Sequence, residues 1–184
     1  MHKSKNTAKV VGILILTAYS LLGSSNSDAK MLGMVLEVIS GLSVIGIAVL
    51  MYPLLKPYGK SLSLWYLSLK GVEGIFMVIA GVLFLIHTSP ILRFRDHIYL
   101  LHAYIFAIPA LIFYYLLYKS KLIPGWLSVC GVVASILLII VNILELMWIL
   151  PWLKILYFPI VLNEVVLSIW LMIKGFNSSE VKIL

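Results

Sequence analysis

Six runs of apolar residues, at 7–22, 32–52, 63–86, 98–118, 124–150 and 152–173, take up most of the 184-residue chain. A helix needs about 20 residues to cross the hydrocarbon of a bilayer, and five of the six runs reach that length. Inside a membrane the backbone must satisfy its own hydrogen bonds, so these runs are expected to be helices. The predicted fold is therefore all-α: a polytopic transmembrane bundle of six helices, forming one integral membrane domain over residues 1–184. Only 11% of the residues are charged and the mean hydropathy is +1.11, whereas a soluble domain carries roughly 25% charged residues. The net charge of +7 does not point to nucleic acid, because the Lys and Arg residues lie singly between apolar runs, as membrane-flanking charges do. The single cysteine, Cys130, excludes an intramolecular disulfide.

The first run is short and has a rival interpretation. His2, Lys3 and Lys5 resemble the basic start of a signal peptide, Val10 to Leu22 its apolar core, and Ser25-Asn26-Ser27 a small-residue cleavage region. A signal-anchor first helix is the preferred expectation. Orientation follows from the basic residues. With the N-terminus inside, Lys3, Lys5, Lys9, Lys56, Lys60, Lys119, Lys121, Lys174 and Lys182 are internal, and Lys30, Arg93, Arg95 and Lys154 are external, nine against four. The excess predicts a plasma-membrane protein with both termini in the cytoplasm. Residues 87–97 become the longest external loop, with His87 and His97 facing solvent and Arg93-Phe94-Arg95 near the interface.

Pro124 is expected to open the fifth helix, Pro151 to separate the fifth from the sixth, and Pro109 and Pro159 to kink or restart theirs. Gly71, Gly74 and Gly81 on the third helix, with Gly41 and Gly46 on the second, allow close helix contact. Lys60 to Trp65 and Lys121 to Trp126 share a Lys-to-Trp spacing at internal hairpins; shared interface chemistry explains this better than a true repeat.

Polar residues inside the runs are the main pointer to function. Glu37, Glu73, Glu145 and Glu164 lie within predicted spans, as do Lys70 and His102. An ionisable group in hydrocarbon costs several kcal/mol unless it is paired, neutralised or hydrated. At 1.5 Å per residue, Glu37, His102 and Glu145 lie roughly 7–9 Å below the outer boundary. Glu73 and Glu164 lie nearer the midplane. Lys70 and Glu73 are at i,i+3 and can pair; Asn142 and Glu145 share a face for the same reason. Each has a plainer explanation: a structural ion pair for Lys70 and Glu73, a reach to the headgroups for Glu37 and Glu145, a helix-contact role for His102. Glu164, preceded by Asn163, resists one. It has no basic neighbour on its own helix, so it must meet a partner from another helix or carry a proton.

The segments Leu101-His102-Ala103-Tyr104-Ile105-Phe106 and Tyr118-Lys119-Ser120-Lys121-Leu122-Ile123-Pro124 resemble a hairpin of the domain of unknown function 4386 family. The end, from Asn163-Glu164 to Trp170 and Lys174-Gly175, is similar to that family's last helix, and Thr7-Ala8-Lys9-Val10-Val11-Gly12 to its opening. The resemblance implies a prokaryotic six-pass membrane protein and supplies no activity.

P-loop, GxSxG, HExxH and CxxC signatures are absent. A Ser-His-Glu arrangement with Ser40 or Ser135 is open, with nothing to select either. Two functions follow. In the preferred one, an outward-opening polar cavity among membrane lipids binds a small cation, a proton or an amphiphile. Glu73 and Glu164 are its acceptors, His102 tunes protonation and Lys70 offsets charge, while Glu37, Asn142 and Glu145 form the rim and Asn163 adjoins it. In the alternative, an intramembrane enzyme acts on a lipid, with His102, Glu37 and Glu164 holding a divalent metal such as zinc. A structural or immunity-type membrane protein is the third expectation.

Overall fold

The computed structural model describes residues 2–19, 30–83, 85–86, 89–147 and 155–177. Among these residues the chain is all helical, with no strand. The α-helices are α1 (His2–Ala18), α2 (Lys30–Leu55), α3 (Lys60–Leu83), α4 (Ser89–Ser120), α5 (Gly125–Leu146) and α6 (Phe158–Ile173). Among the described residues four segments are long and apolar enough to cross a membrane: Met31–Tyr58, Lys60–Leu83, Gly125–Leu146 and Ile155–Ile173. The apolar part of α4, Tyr104–Ser120, is shorter.

Each helix packs on the next in sequence, and α6 packs back on α1. The bundle therefore closes on itself. Its helices are inverted relative to those of a soluble protein. On α3 the polar residues Ser63, Lys70 and Glu73 are buried, in register with Tyr66, Met77 and Ala80, while Leu64, Trp65, Val72, Ile75, Ile79 and Val82 are exposed. Spacings of three and four place the first set on one helix face. A chain that buries its charges and exposes its aliphatic stripe is one whose solvent is lipid.

Close contacts are made where side chains vanish. A Cβ on Gly41 would lie 2.6 Å from the carbonyl oxygen of Gly74, and one on Gly74 would lie 2.7 Å from that of Gly41. The backbones of α2 and α3 thus touch directly. Gly81 meets Glu37 on α2, whereas Gly46 faces Leu14 on α1 and Gly71 faces open space, so neither of these serves the α2–α3 contact. Helix α1 packs within the bundle: Ala8, Val11 and Ile15 are buried, and the Ser168 hydroxyl of α6 donates to the Gly12 carbonyl at 2.7 Å.

One end of the bundle is shut by packing. Leu54, Leu55, Leu116, Leu117, Leu122 and Ile123 are buried there. Gly175 lies beside Lys5 and Ala8, and Asn177 donates to the carbonyls of Lys121 and Leu122. Residues 5–8, the 119–125 turn and residues 174–177 therefore share this end.

The structure corrects several boundaries. Residues 89–97 are not a loop but the first turns of α4. Nothing between 91 and 103 breaks a helix, and Pro90 sits in the first turn, where its missing N–H is harmless. His97, predicted to face solvent, is exposed on this helix, with a ring nitrogen 2.6 Å from the Arg93 carbonyl oxygen. Pro109 lies within α4 without restarting it, and Pro159 opens α6 instead of interrupting it. Pro124 precedes α5 as expected. The third run ends at Leu83, followed by tighter i−3 bonds from Leu85 and Ile86. Residues 20–22, His87 and 148–154, with Pro151, lie outside the described residues. The two Lys-to-Trp segments share exposed tryptophans, Trp65 and Trp126, but diverge beyond them: Gly71 faces open space while Gly131 is pressed against the Tyr114 ring.

Candidate functional site: a charged cavity inside the closed bundle

Between the packed end and the end where α1 stops and α6 begins, the helices enclose a cavity of about 180 Å³. All six α-helices contribute to its wall. Most of the lining is apolar, including Ile15, Val44, Ile47, Met77, Leu138 and Ile160. Its ionisable residues are Lys70 and Glu73 from α3, His102 from α4 and Glu164 from α6, together with the phenols of Tyr19, Tyr66 and Tyr157.

Lys70 and Glu73 are held on one face of α3 by their i,i+3 spacing. The Lys70 ammonium donates to Glu73 Oε1 at 3.1 Å, is 3.1 Å from Oε2, and lies 4.3 Å from the centre of the Phe106 ring of α4. It thus combines a carboxylate with the negative face of an aromatic ring. Both residues are buried. Glu164, on the opposite side of the chain's order, meets α1: the Tyr19 hydroxyl donates to its Oε2 at 2.9 Å. The partner that Glu164 meets from another part of the chain is thus a phenol 145 positions away. Lys70 and Glu164 line the same cavity.

Tyr66 and Phe113 stack at 5.1 Å between centroids at the closed end. The Tyr66 hydroxyl is fully buried and has no hydrogen bond to any described residue. At the other end Tyr157, in the turn that precedes α6, ties that helix to α5. Its hydroxyl oxygen is 2.8 Å from both Asn142 Oδ1 and Glu145 Oε2. With one proton, it can donate fully to only one of them at a time.

The structure thus brings together Glu73, Lys70, His102 and Glu164, and connects Asn142 and Glu145 to them through Tyr157. It separates the others. Asn163 is buried near Tyr114 and is not part of the cavity wall. Glu37 is not on the rim: it is fully buried, away from the cavity, in an ion pair with Arg95 Nη2. Arg95 reaches it because residues 89–97 are helical and lay the guanidinium against α2. This occupation also removes Glu37 from the suggested metal set. Among the described residues no group of three His, Cys, Asp or Glu is placed to hold a metal ion. Ser40 and Ser135 are not poised as nucleophiles. Their hydroxyls donate to the carbonyls of Leu36 and Gly131 at 2.7 Å, within their own helices, and neither lines the cavity.

Sequence reasoning missed Tyr19, Tyr66, Tyr157, Phe106 and Arg95. Aromatic residues are ordinary in membrane helices, so only the cross-helix geometry singles these out.

No curated protein and no solved structure matches the chain. A family model described as "Domain of unknown function (DUF4386)" matches residues 10–93 and 87–175. These stretches hold all four ionisable residues of the cavity that are not phenols, together with Tyr19, Tyr66 and Tyr157. The chain belongs to that family, as the segments around His102 and Glu164 suggest.

Proposed function

We propose that this protein is a six-pass membrane protein of the binding or transport type, whose cavity takes up a small amphiphilic organic cation. The observation that carries this is the charge balance of the cavity. Two carboxylates, Glu73 and Glu164, face a single ammonium, Lys70, inside a mostly apolar wall. With His102 neutral, the site has one formal negative charge in excess. In a low-dielectric interior such an excess is costly unless a cation joins it or one carboxyl carries a proton. The apolar and aromatic lining suits the hydrocarbon part of a protonated amine, and the volume suits a short chain or one aromatic ring. His102, also on the wall, is placed to adjust the balance by taking up a proton.

The membrane setting of this proposal is a cytoplasmic or plasma membrane with both termini inside. It rests on the nine-to-four division of basic residues and on the sharing of one bundle end by residues 5–8 and 174–177. The cavity then occupies the outer half of the bundle. The direct test is calorimetry on the protein in lipid nanodiscs with 2-phenylethylamine and its uncharged counterpart 2-phenylethanol. The amine binds and the alcohol does not, and Glu164→Gln abolishes amine binding while the protein stays monodisperse. Equal binding of the two compounds, or an unchanged amine affinity in Glu164→Gln, would overturn the proposal.

A further inference from the structure

The cavity contains one alkylammonium already, and it belongs to the chain. Lys70 holds its charge as a bound amine would: against both oxygens of a carboxylate at 3.1 Å and over an aromatic face at 4.3 Å. The second carboxylate is treated differently. Glu164 receives the Tyr19 hydroxyl, and no Lys or Arg among the described residues comes within ion-pair distance of it. The Tyr66 hydroxyl, buried in the same wall, has no hydrogen bond to any described group.

We infer that Lys70 is the specificity-determining residue of the cavity: its tethered ammonium fills one of two cation positions and so restricts the ligand to a single positive charge. The inference rests on the organic-cation function proposed above and deepens it. A ligand ammonium is received by Glu164, with Tyr19 and the Tyr66 hydroxyl beside it. A second ligand charge would have to displace Lys70 from Glu73 or share the cavity with it. Either way like charges meet in a mostly apolar cavity, which is how specificity is built by repulsion. The chain thus selects monoamines over diamines of the same length by occupying the second position itself.

The count of charges makes this testable by substitution. In lipid nanodiscs the wild-type protein should bind n-pentylamine about tenfold or more tightly than 1,5-diaminopentane. Lys70→Met leaves two carboxylates without an internal cation and should invert that preference. Lys70→Met combined with Glu73→Gln restores one net negative charge and should restore the preference for the monoamine. Glu73→Gln alone should weaken n-pentylamine binding about tenfold or more, because Lys70 is released to pair with Glu164. This last variant and the double variant leave no more uncompensated carboxylates than the wild type, so they carry the test even where Lys70→Met alone does not fold. A monoamine preference that persists in a folded Lys70→Met protein, or wild-type affinity in Glu73→Gln, would overturn the role given to Lys70. A wild-type protein that binds neither amine would instead overturn the cavity's proposed function.

Discussion

At the scale of single residues, two buried ion pairs have different jobs. Lys70 and Glu73 are one turn apart on α3 and face the cavity, so their pairing was legible in the i,i+3 spacing. Arg95 and Glu37 are 58 positions apart and face away from it, and no local pattern announces them. Each pair protects a carboxylate that would otherwise be stranded. Removing one partner of a buried pair typically costs about 3–5 kcal/mol, whereas removing both is far less disruptive. Arg95→Ala should therefore lower stability by about 3 kcal/mol, and adding Glu37→Gln should recover much of the loss. Lys70→Met and Glu73→Gln should behave the same way. Thermal unfolding of the single and double variants in detergent checks both cycles, and simple additivity would count against coupling. The two cycles should differ in one respect: only the α3 pair should alter amine binding.

At the scale of elements, the helices are defined by apolar length but positioned by small residues. Gly41 and Gly74 set the α2–α3 approach, and Gly131 receives the Tyr114 ring. A methyl group at Gly74 or Gly131 meets backbone or a packed ring, and overpacking of this kind costs about 1–3 kcal/mol. At Gly71 a methyl group meets nothing within 4 Å. Gly74→Ala and Gly131→Ala should lower the apparent melting temperature, whereas Gly71→Ala should leave it unchanged or raise it through helix propensity worth about 0.5–1 kcal/mol. A series of three melting curves separates these cases. Sequence treated Gly71 and Gly74 alike, since both sit in an apolar run. Their difference is a matter of which face α2 covers. The same limit explains why 87–97 was taken for a loop. Its charges suggested water, but a helix can carry charges along its length when one of them, Arg95, has a buried partner.

At the scale of the whole molecule, closure of α6 on α1 makes an interior where charges can meet. With residues 5–8 and 174–177 at one end and the 85–86 turn at the other, the proposed topology has a simple test. In a Cys130→Ala background, which removes the exposed native thiol, Leu85→Cys should react with a membrane-impermeant thiol reagent on intact cells. Lys121→Cys should react only after permeabilisation. Both positions are exposed. The reverse pattern would invert the orientation, and with it the side from which the cavity is reached.

The sequence by itself determined that this chain is helical and that lipid surrounds it, because backbone hydrogen bonding in hydrocarbon and the length of apolar runs leave little choice. It also marked Glu164 as needing a partner from another helix or a proton, since the desolvation cost of a carboxylate does not depend on which fold surrounds it. Which partner it finds was decided only in three dimensions. Tyr19 reaches Glu164, Arg95 reaches Glu37, and Tyr157 reaches Asn142 and Glu145 because the closed bundle fixes how each helix is rotated about its axis. That rotation is set by packing across helices, at Gly12 against Ser168 and Gly41 against Gly74. Such contacts join residues far apart in the chain, so depth and spacing along one helix do not encode them.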